Sequence, residues 1–165
     1  MNGLMKTLWL VAALAGCAPV EKAEISFRDQ NIPITSIALF EPAKFSGHWD
    51  VVGRFGSKNC ALEVVNATEG AINLAQKSCL GPKTHSAAQI TGPGRFTPTE
   101  GANKGVEYWV LWVDQSYRTA VIGTVAGEFG MILNRGLDIP ADRLAAARDV
   151  LGWNGYDLNR LNPRP

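Results

Sequence analysis

The chain is short of the parts that most chemistry requires. It has two histidines and three cysteines in 165 residues, and 16 Lys and Arg face 15 Asp and Glu, a formal net charge of +1. A near-neutral chain without a basic or acidic run sets up no general field for nucleic acid or anionic lipid, so a nucleic-acid partner is not expected. No Gly-x-Ser-x-Gly elbow, His-Glu-x-x-His pair or P-loop occurs. Gly92-Pro93-Gly94-Arg95 is glycine-rich, but it lacks the spacing and the Lys-Ser/Thr of a phosphate loop and reads as a turn. These gaps leave no catalytic residues, no metal ligand set and no cofactor to name, and the chain is expected not to be an enzyme. The apolar stretch Leu8 to Ala15 is too short for a spanning helix, which needs roughly 20 residues.

That stretch has another meaning. A short basic region ending at Lys6, a short apolar core and small residues before a cut describe a secretory signal over residues 1–16. Leu14-Ala15-Gly16-Cys17 resembles the lipobox of bacterial lipoproteins. The resemblance implies cleavage before Cys17 and attachment of palmitate-type acyl chains to that cysteine; the other reading is an ordinary signal with a chance cysteine. Each buried methylene contributes about 0.8 kcal/mol to anchoring, so several chains hold where one would not. By the same resemblance Ala18 favours sorting to the outer membrane, facing the periplasm. Lys6 is the one charged residue removed, which leaves the mature chain formally neutral.

With Cys17 reserved for lipid, Cys60 and Cys79 remain. Two thiols in an exported protein are expected to pair, closing a loop of about 20 residues that stabilises by roughly 3 kcal/mol. Free thiols are the alternative, and a metal site would need more than His85 nearby. Residues 17–44 read as a tether and closing segment. Pro19, Pro33 and Pro42 are expected to interrupt any helix there, while Ile32, Ile34, Ile37, Leu39 and Phe40 could pack across one end of a domain.

Residues 45–165 form that domain. Short strands are expected over His48–Arg54, Ala61–Asn66, Ala71–Ser78, Thr84–Thr91, Arg95–Thr97, Val106–Asp114, Arg118–Val125 and Glu128–Arg135, separated by Gly, Asn and Pro. Eight strands at this spacing imply an all-β antiparallel sandwich or barrel, and eight is the number at which a closed barrel can hold one small ligand. Pro140 then opens an alanine-rich helix ending near Gly152. Its stripe of Leu144, Ala147, Val150 and Leu151 is expected to pack on the barrel wall.

Three motifs occur in order. Gly47-His48-Trp49 resembles the Gly-x-Trp that begins the first lipocalin strand. Asp114-Gln115-Ser116-Tyr117 resembles the family's Asp-x-x-Tyr turn, and Phe129 to Arg135 its final strand ending in arginine. The resemblance is to lipocalins, nearest the bacterial outer-membrane lipoproteins of that family, related to apolipoprotein D. It implies an eight-stranded up-and-down barrel with a C-terminal helix. Gly47, Trp49, Asp114, Tyr117 and Arg135 are then scaffold, with Arg135 lying across Trp49 to stopper one end. Asn154 to Leu158 resembles the family's return segment.

Function should then sit in the interior. Counting by twos from Arg135 turns Leu133, Met131 and Phe129 inward. Asp114 by resemblance shares a side with Trp112, Val110 and Tyr108, and Ala120, Ile122 and Thr124 share another face. Trp109 then points outward. These apolar groups with a tyrosine hydroxyl suit a fatty-acid or lysophospholipid type of ligand, unless they fill the barrel themselves. A second resemblance, over Ser46 to Leu80, is to protease-inhibitor lipoproteins, small barrels with an early disulfide whose N-terminal segment enters a protease cleft. A structural envelope protein with a filled barrel is the third reading. The oligomeric state stays open.

Overall fold

The computed structural model describes residues 25–163, so the signal and Cys17 lie outside the described residues. Eight strands, β1 (Gly47–Phe55), β2 (Asn59–Ala67), β3 (Ala71–Ser78), β4 (Lys83–Gly92), β5 (Arg95–Pro98), β6 (Tyr108–Val113), β7 (Thr119–Thr124) and β8 (Gly130–Asn134), occur where alternation and turn residues place them. Each pairs antiparallel with its neighbour in the chain, and β1 pairs with both β8 and β2, closing an up-and-down barrel. Closure removes the free edges that would otherwise template aggregation. The β1–β2 seam runs only over Gly47–Asp50; beyond it the edge of β1 is taken by a short β9 (Asn162–Pro163) opposite Gly53 and Arg54.

The chain buries two apolar clusters. One fills the barrel and includes Trp49, Val51, Val64, Ile72, Ile122, Met131 and Leu133. The other lies outside, under helix α2 (Ala141–Trp153), where Ala147, Val150 and Leu151 meet Leu111, Val121 and Ile132. Pro140 precedes the helix, where a missing N–H costs nothing.

Two expectations fail. Pro42 does not prevent a helix: it starts one, the single turn α1 (Pro42–Phe45), because its fixed φ suits a first turn. More consequential, β6 carries a bulge. Its register runs Val110 opposite Ile122 and then Trp112 opposite Val121, so one extra residue is inserted. Bulges break the period of two. Leu111 and Trp112 therefore both join Trp109 on the outer cluster, while Val113 turns inward opposite Ala120. Trp112 is not an interior residue, and both tryptophans of this strand lie outside.

Residues 26–45 are a strap rather than a loose tether. Phe27 donates its N–H to Gly127 O at 2.7 Å, Asp29 to Gly155 O at 2.8 Å and Ile37 to Val110 O at 2.8 Å. The Arg28 side chain, 7% exposed, donates to the carbonyls of Asn154, Val125 and Ile32. Ile37 and Phe40 pack on the barrel interior, as expected, whereas Leu39 is exposed.

The stopper is present. The Arg135 guanidinium sits 3.7 Å from the centroid of the Trp49 ring, and Trp49 Nε1 donates to Phe45 O at 2.9 Å. Arg135 donates to the carbonyls of Ser46 at 2.6 Å, His48 at 2.9 Å and Lys44 at 3.1 Å. Gly47, at φ +102°, leaves the space: a Cβ there would stand 2.8 Å from Arg135 Nη1. In the turn after β6, Asp114 Oδ1 accepts from the N–H groups of Arg118 and Thr119, each at 2.6 Å, and Tyr117 takes φ +53°. The Tyr117 hydroxyl accepts from Glu41 N–H, so the strap is tied to the stoppered end. Replacing Arg135 by Met removes the cation–π contact and the charged donors together. Urea denaturation is expected to show a loss of about 2–4 kcal/mol.

Candidate ligand site

Met131, Leu133, Ile122, Ala120 and Val110 are brought together inside the barrel, as alternation predicts, but none is more than 2% exposed. Side chains this buried border no space that a water molecule could occupy. The residues expected to line a deep pocket therefore pack against one another and against Val64, Ile72 and Leu74, and the axis of the barrel is filled. The two other interior candidates differ. Tyr108 and Phe129 lie at the opposite end from the stopper, where the β7–β8 loop and the long β5–β6 connection emerge. Their rings meet edge to face at 5.1 Å, and Tyr108 stacks on Phe96 at 5.5 Å. Phe129 is only partly buried.

A cavity of about 370 Å³ opens at the same end of the barrel. It is lined by Gln76, Thr84, His85, Ser86 and Pro98 and by residues 100–103 of the β5–β6 connection. The register explains the lining. Ile72 and Leu74 face inward opposite Ala88 and Ser86, so two residues further along Gln76 faces inward opposite Thr84. Continuing the Ile72–Leu74 face by two residues would have identified Gln76 from sequence. Arg54 was missed for a different reason. A register shift lies between Val51 and Gly53, and it carries Arg54 inward opposite Met131. Arg54 Nη1 then lies 3.3 Å from Cys79 Sγ and 3.5 Å from Asn59 O, and Asn59 Nδ2 donates to Gln76 Oε1 at 3.1 Å. The expected pairing of Cys60 with Cys79 is formed at this same end.

The electrostatics of the mouth are mild. Burial pushes the Tyr108 phenol up to about 12, helped by the Glu128 carboxylate, so the hydroxyl stays protonated. Glu128 Oε2 in turn accepts from Thr124 Oγ1 at 2.7 Å. Tyr156, behind the wall, sets the loop that carries Phe129: its hydroxyl donates to Phe129 O at 2.7 Å and accepts from Thr124 N–H at 3.0 Å. Gly123 makes room for it, since a Cβ there would be 2.5 Å from that hydroxyl. Among the described residues no group of three or more His, Cys, Asp or Glu could hold a metal. The arrangement can offer a small concave surface, lined mostly by hydrogen-bonding side chains, with Pro98 and Ala102 as its apolar part.

A family model described as a lipocalin-like domain matches residues 84–165, from β4 to the C-terminus. No curated protein sequence matches the chain. Solved structures with the same fold include apocrustacyanin C1, at 10% identity over 73% of this chain and 77% of that one, with a TM-score of 0.59. Lipocalin 12 from rat epididymis matches at 14% identity over 84% and 91%, with a TM-score of 0.59. The allergen Per a 4 from cockroaches matches at 14% over 80% and 91%, with a TM-score of 0.57. At these identities the likeness is one of fold.

Burial also pushes the Tyr156 phenol up to about 12. Between pH 10 and 12 the unfolded chain gives up both phenolic protons while the folded chain keeps them. The stability these two groups contribute is therefore complete below pH 10 and lost as pH rises towards 12. Tyr156→Phe should cost about 1–3 kcal/mol at neutral pH, by stranding Thr124 N–H, and should make the alkaline loss shallower. Thermal melts at a series of pH values check both.

Proposed function

Starting from a chain with the lipocalin fold and a lipocalin-like domain over residues 84–165, we propose that it is a lipid-anchored envelope protein that binds one small amphipathic ligand at the barrel mouth. It acts by binding and not by catalysis. The observation that supports this most is the contrast between a solid axis and an open mouth: Leu133, Ile122 and Met131 occupy the barrel, while about 370 Å³ remains beside Gln76, Ser86 and Pro98. That volume lies at the small end of ligand sites, which run to roughly 300–1,000 Å³. A ligand of fatty-acid or lysophospholipid type would lay its apolar part on Pro98 and Ala102 and turn its polar part to Gln76, Thr84 and Ser86. Its tail would stay at the mouth, because nothing deeper is open to it.

Anchoring rests on the signal and Leu14-Ala15-Gly16-Cys17, with Ala18 favouring the outer membrane and a periplasm-facing barrel. The protease-inhibitor reading is weaker, because residues 26–45 are strapped to the barrel and not free to enter a cleft. The filled interior does favour the structural reading as the competitor.

The tryptophans are poorly placed to report a ligand. Trp49 sits under the stopper, Trp109 and Trp112 outside, and Trp153 is exposed. Displacement of a dansylated undecanoic acid is the better measurement. Wild type should bind it saturably and release it to lysophospholipid or fatty acid. Ser86→Trp, which fills the mouth, should weaken binding at least about tenfold, whereas Leu133→Ala should cost about 2–5 kcal/mol of stability and leave affinity nearly unchanged. Absence of saturable binding by any lipid class would hand the assignment to the structural reading. Separately, Cys17→Ser should abolish incorporation of labelled acyl chains and move the protein from the membrane to the soluble fraction. Retention in the membrane fraction without label would refute the anchor.

A further inference from the structure

The disulfide at the barrel mouth has an unusual neighbour. Arg54 reaches across from β1 to the Cys60–Cys79 pair, which links β2 to the start of the β3–β4 loop. Its Nη1 stands 3.3 Å from Cys79 Sγ and 3.8 Å from Cys60 Sγ. Arg54 has no carboxylate partner among the described residues, so its charge is directed at sulfur. Both cysteines are partly exposed, Leu80 beyond Cys79 is fully open to solvent, and Gly81 and Pro82 are exposed. A structural disulfide that needs only to persist is served by burial among apolar groups. This one is accessible, and a cation stands at one sulfur, the arrangement that stabilises a thiolate.

We propose that Cys60–Cys79 is a thiol-exchange site, at which a small-molecule thiol adds to Cys60 and Cys79 is released as a thiolate held by Arg54. The direction follows from the distances. An attacking thiolate approaches Cys60 Sγ along the line of the disulfide, opposite Cys79. A new sulfur–sulfur bond forms to Cys60, the Cys60–Cys79 bond breaks, and its electron pair leaves on Cys79 Sγ, the sulfur nearer the guanidinium. The attacking thiol has already lost its proton to water, so charge and atoms balance: one thiolate enters and one leaves. Exchange is faster when the departing thiol has the lower pKa. Attack from the other side would expel Cys60, which is farther from the charge. Return of the Cys79 thiolate onto the mixed disulfide restores the bond and releases the small thiol. While exchanged, β2 and the β3–β4 loop are joined there only by hydrogen bonds such as Cys79 N–H to Lys58 O at 3.0 Å, and the wall of the mouth beside Gln76 and Asn59 is loosened. The exchange itself does not depend on any ligand occupying the mouth.

The test exposes the folded protein to reduced glutathione, quenches with acid and locates the adduct by peptide mass spectrometry. Glutathione is expected on Cys60 with Cys79 free. Arg54→Met should slow the reaction about three- to tenfold, and Arg54→Lys should restore much of the rate. A thermal melt of each variant establishes that the barrel is folded under the assay conditions. If Arg54→Met does not fold, the Cys60→Ser protein supplies the same answer. Its Cys79, followed apart from Cys17 by peptide mass spectrometry, should be alkylated by iodoacetamide with an apparent pKa below that of a model-peptide cysteine, and 0.5 M salt should raise it. Adduct on Cys79, equal rates with and without the Arg54 charge, or an ordinary, salt-independent Cys79 profile would each overturn the proposal.

Discussion

A half-buried arginine has five N–H groups to satisfy and a charge to place, and few environments accept both. At the stoppered end of this barrel Arg135 meets the demand with carbonyls from Lys44, Ser46 and His48, and with the face of Trp49. Those partners lie in two pieces of chain, the end of the strap and the start of β1, and Arg135 itself follows the end of β8. Satisfying one side chain therefore fixes where the strap ends, where β1 begins and how far β8 runs. Burial pulls the Arg135 guanidinium below its usual range, but its proton is held far above physiological pH. The closure is accordingly insensitive to pH where the protein lives. Neighbouring groups extend the same logic, with Asp114 closing the β6–β7 turn and the Tyr117 hydroxyl receiving Glu41 N–H.

The stopper also closes the barrel interior at its own end. Trp49 projects upward into a stack of Val51, Val64, Ile72 and Leu133 that closes over it without a gap. Past Met131 the inward positions of β1, β3 and β4 change character, to Arg54, Gln76, Thr84 and Ser86. Polar side chains at the end of an apolar column do not fill it, because their heads seek water or one another. The mouth is hollow because the sequence turns polar there.

Strand positions, the closing contact and the terminal helix were legible because each rests on a local signal: turn residues, motif spacing and a helical stripe. Alternation also placed Leu133, Met131 and Ile122 on the correct face. It failed at Trp112 because a bulge is a property of two strands in register, and nothing within Tyr108–Val113 announces it. A similar shift in β1 concealed Arg54. Whether the inward face encloses a void was not legible either. A column of Val, Ile, Leu and Met reads the same whether it lines a cavity or fills one, and the answer depends on the barrel's radius. Pro42 is the mildest case: the residue that breaks a helix interior is the residue that opens one.

The strap has one more consequence. It joins the barrel beside the β7–β8 loop, at Phe27 and Gly127, and runs from there to the stoppered end at Glu41. Ile25 therefore stands on the rim of the mouth, with the exposed Val125 on the neighbouring loop. Seven residues lie between Cys17 and Ile25, and the eight steps from one to the other make a leash of at most about 28 Å at full stretch. With acyl chains on Cys17, as proposed, the molecule would hang from the lipid by its open end, and a guest leaving the bilayer would have only the length of that leash to travel.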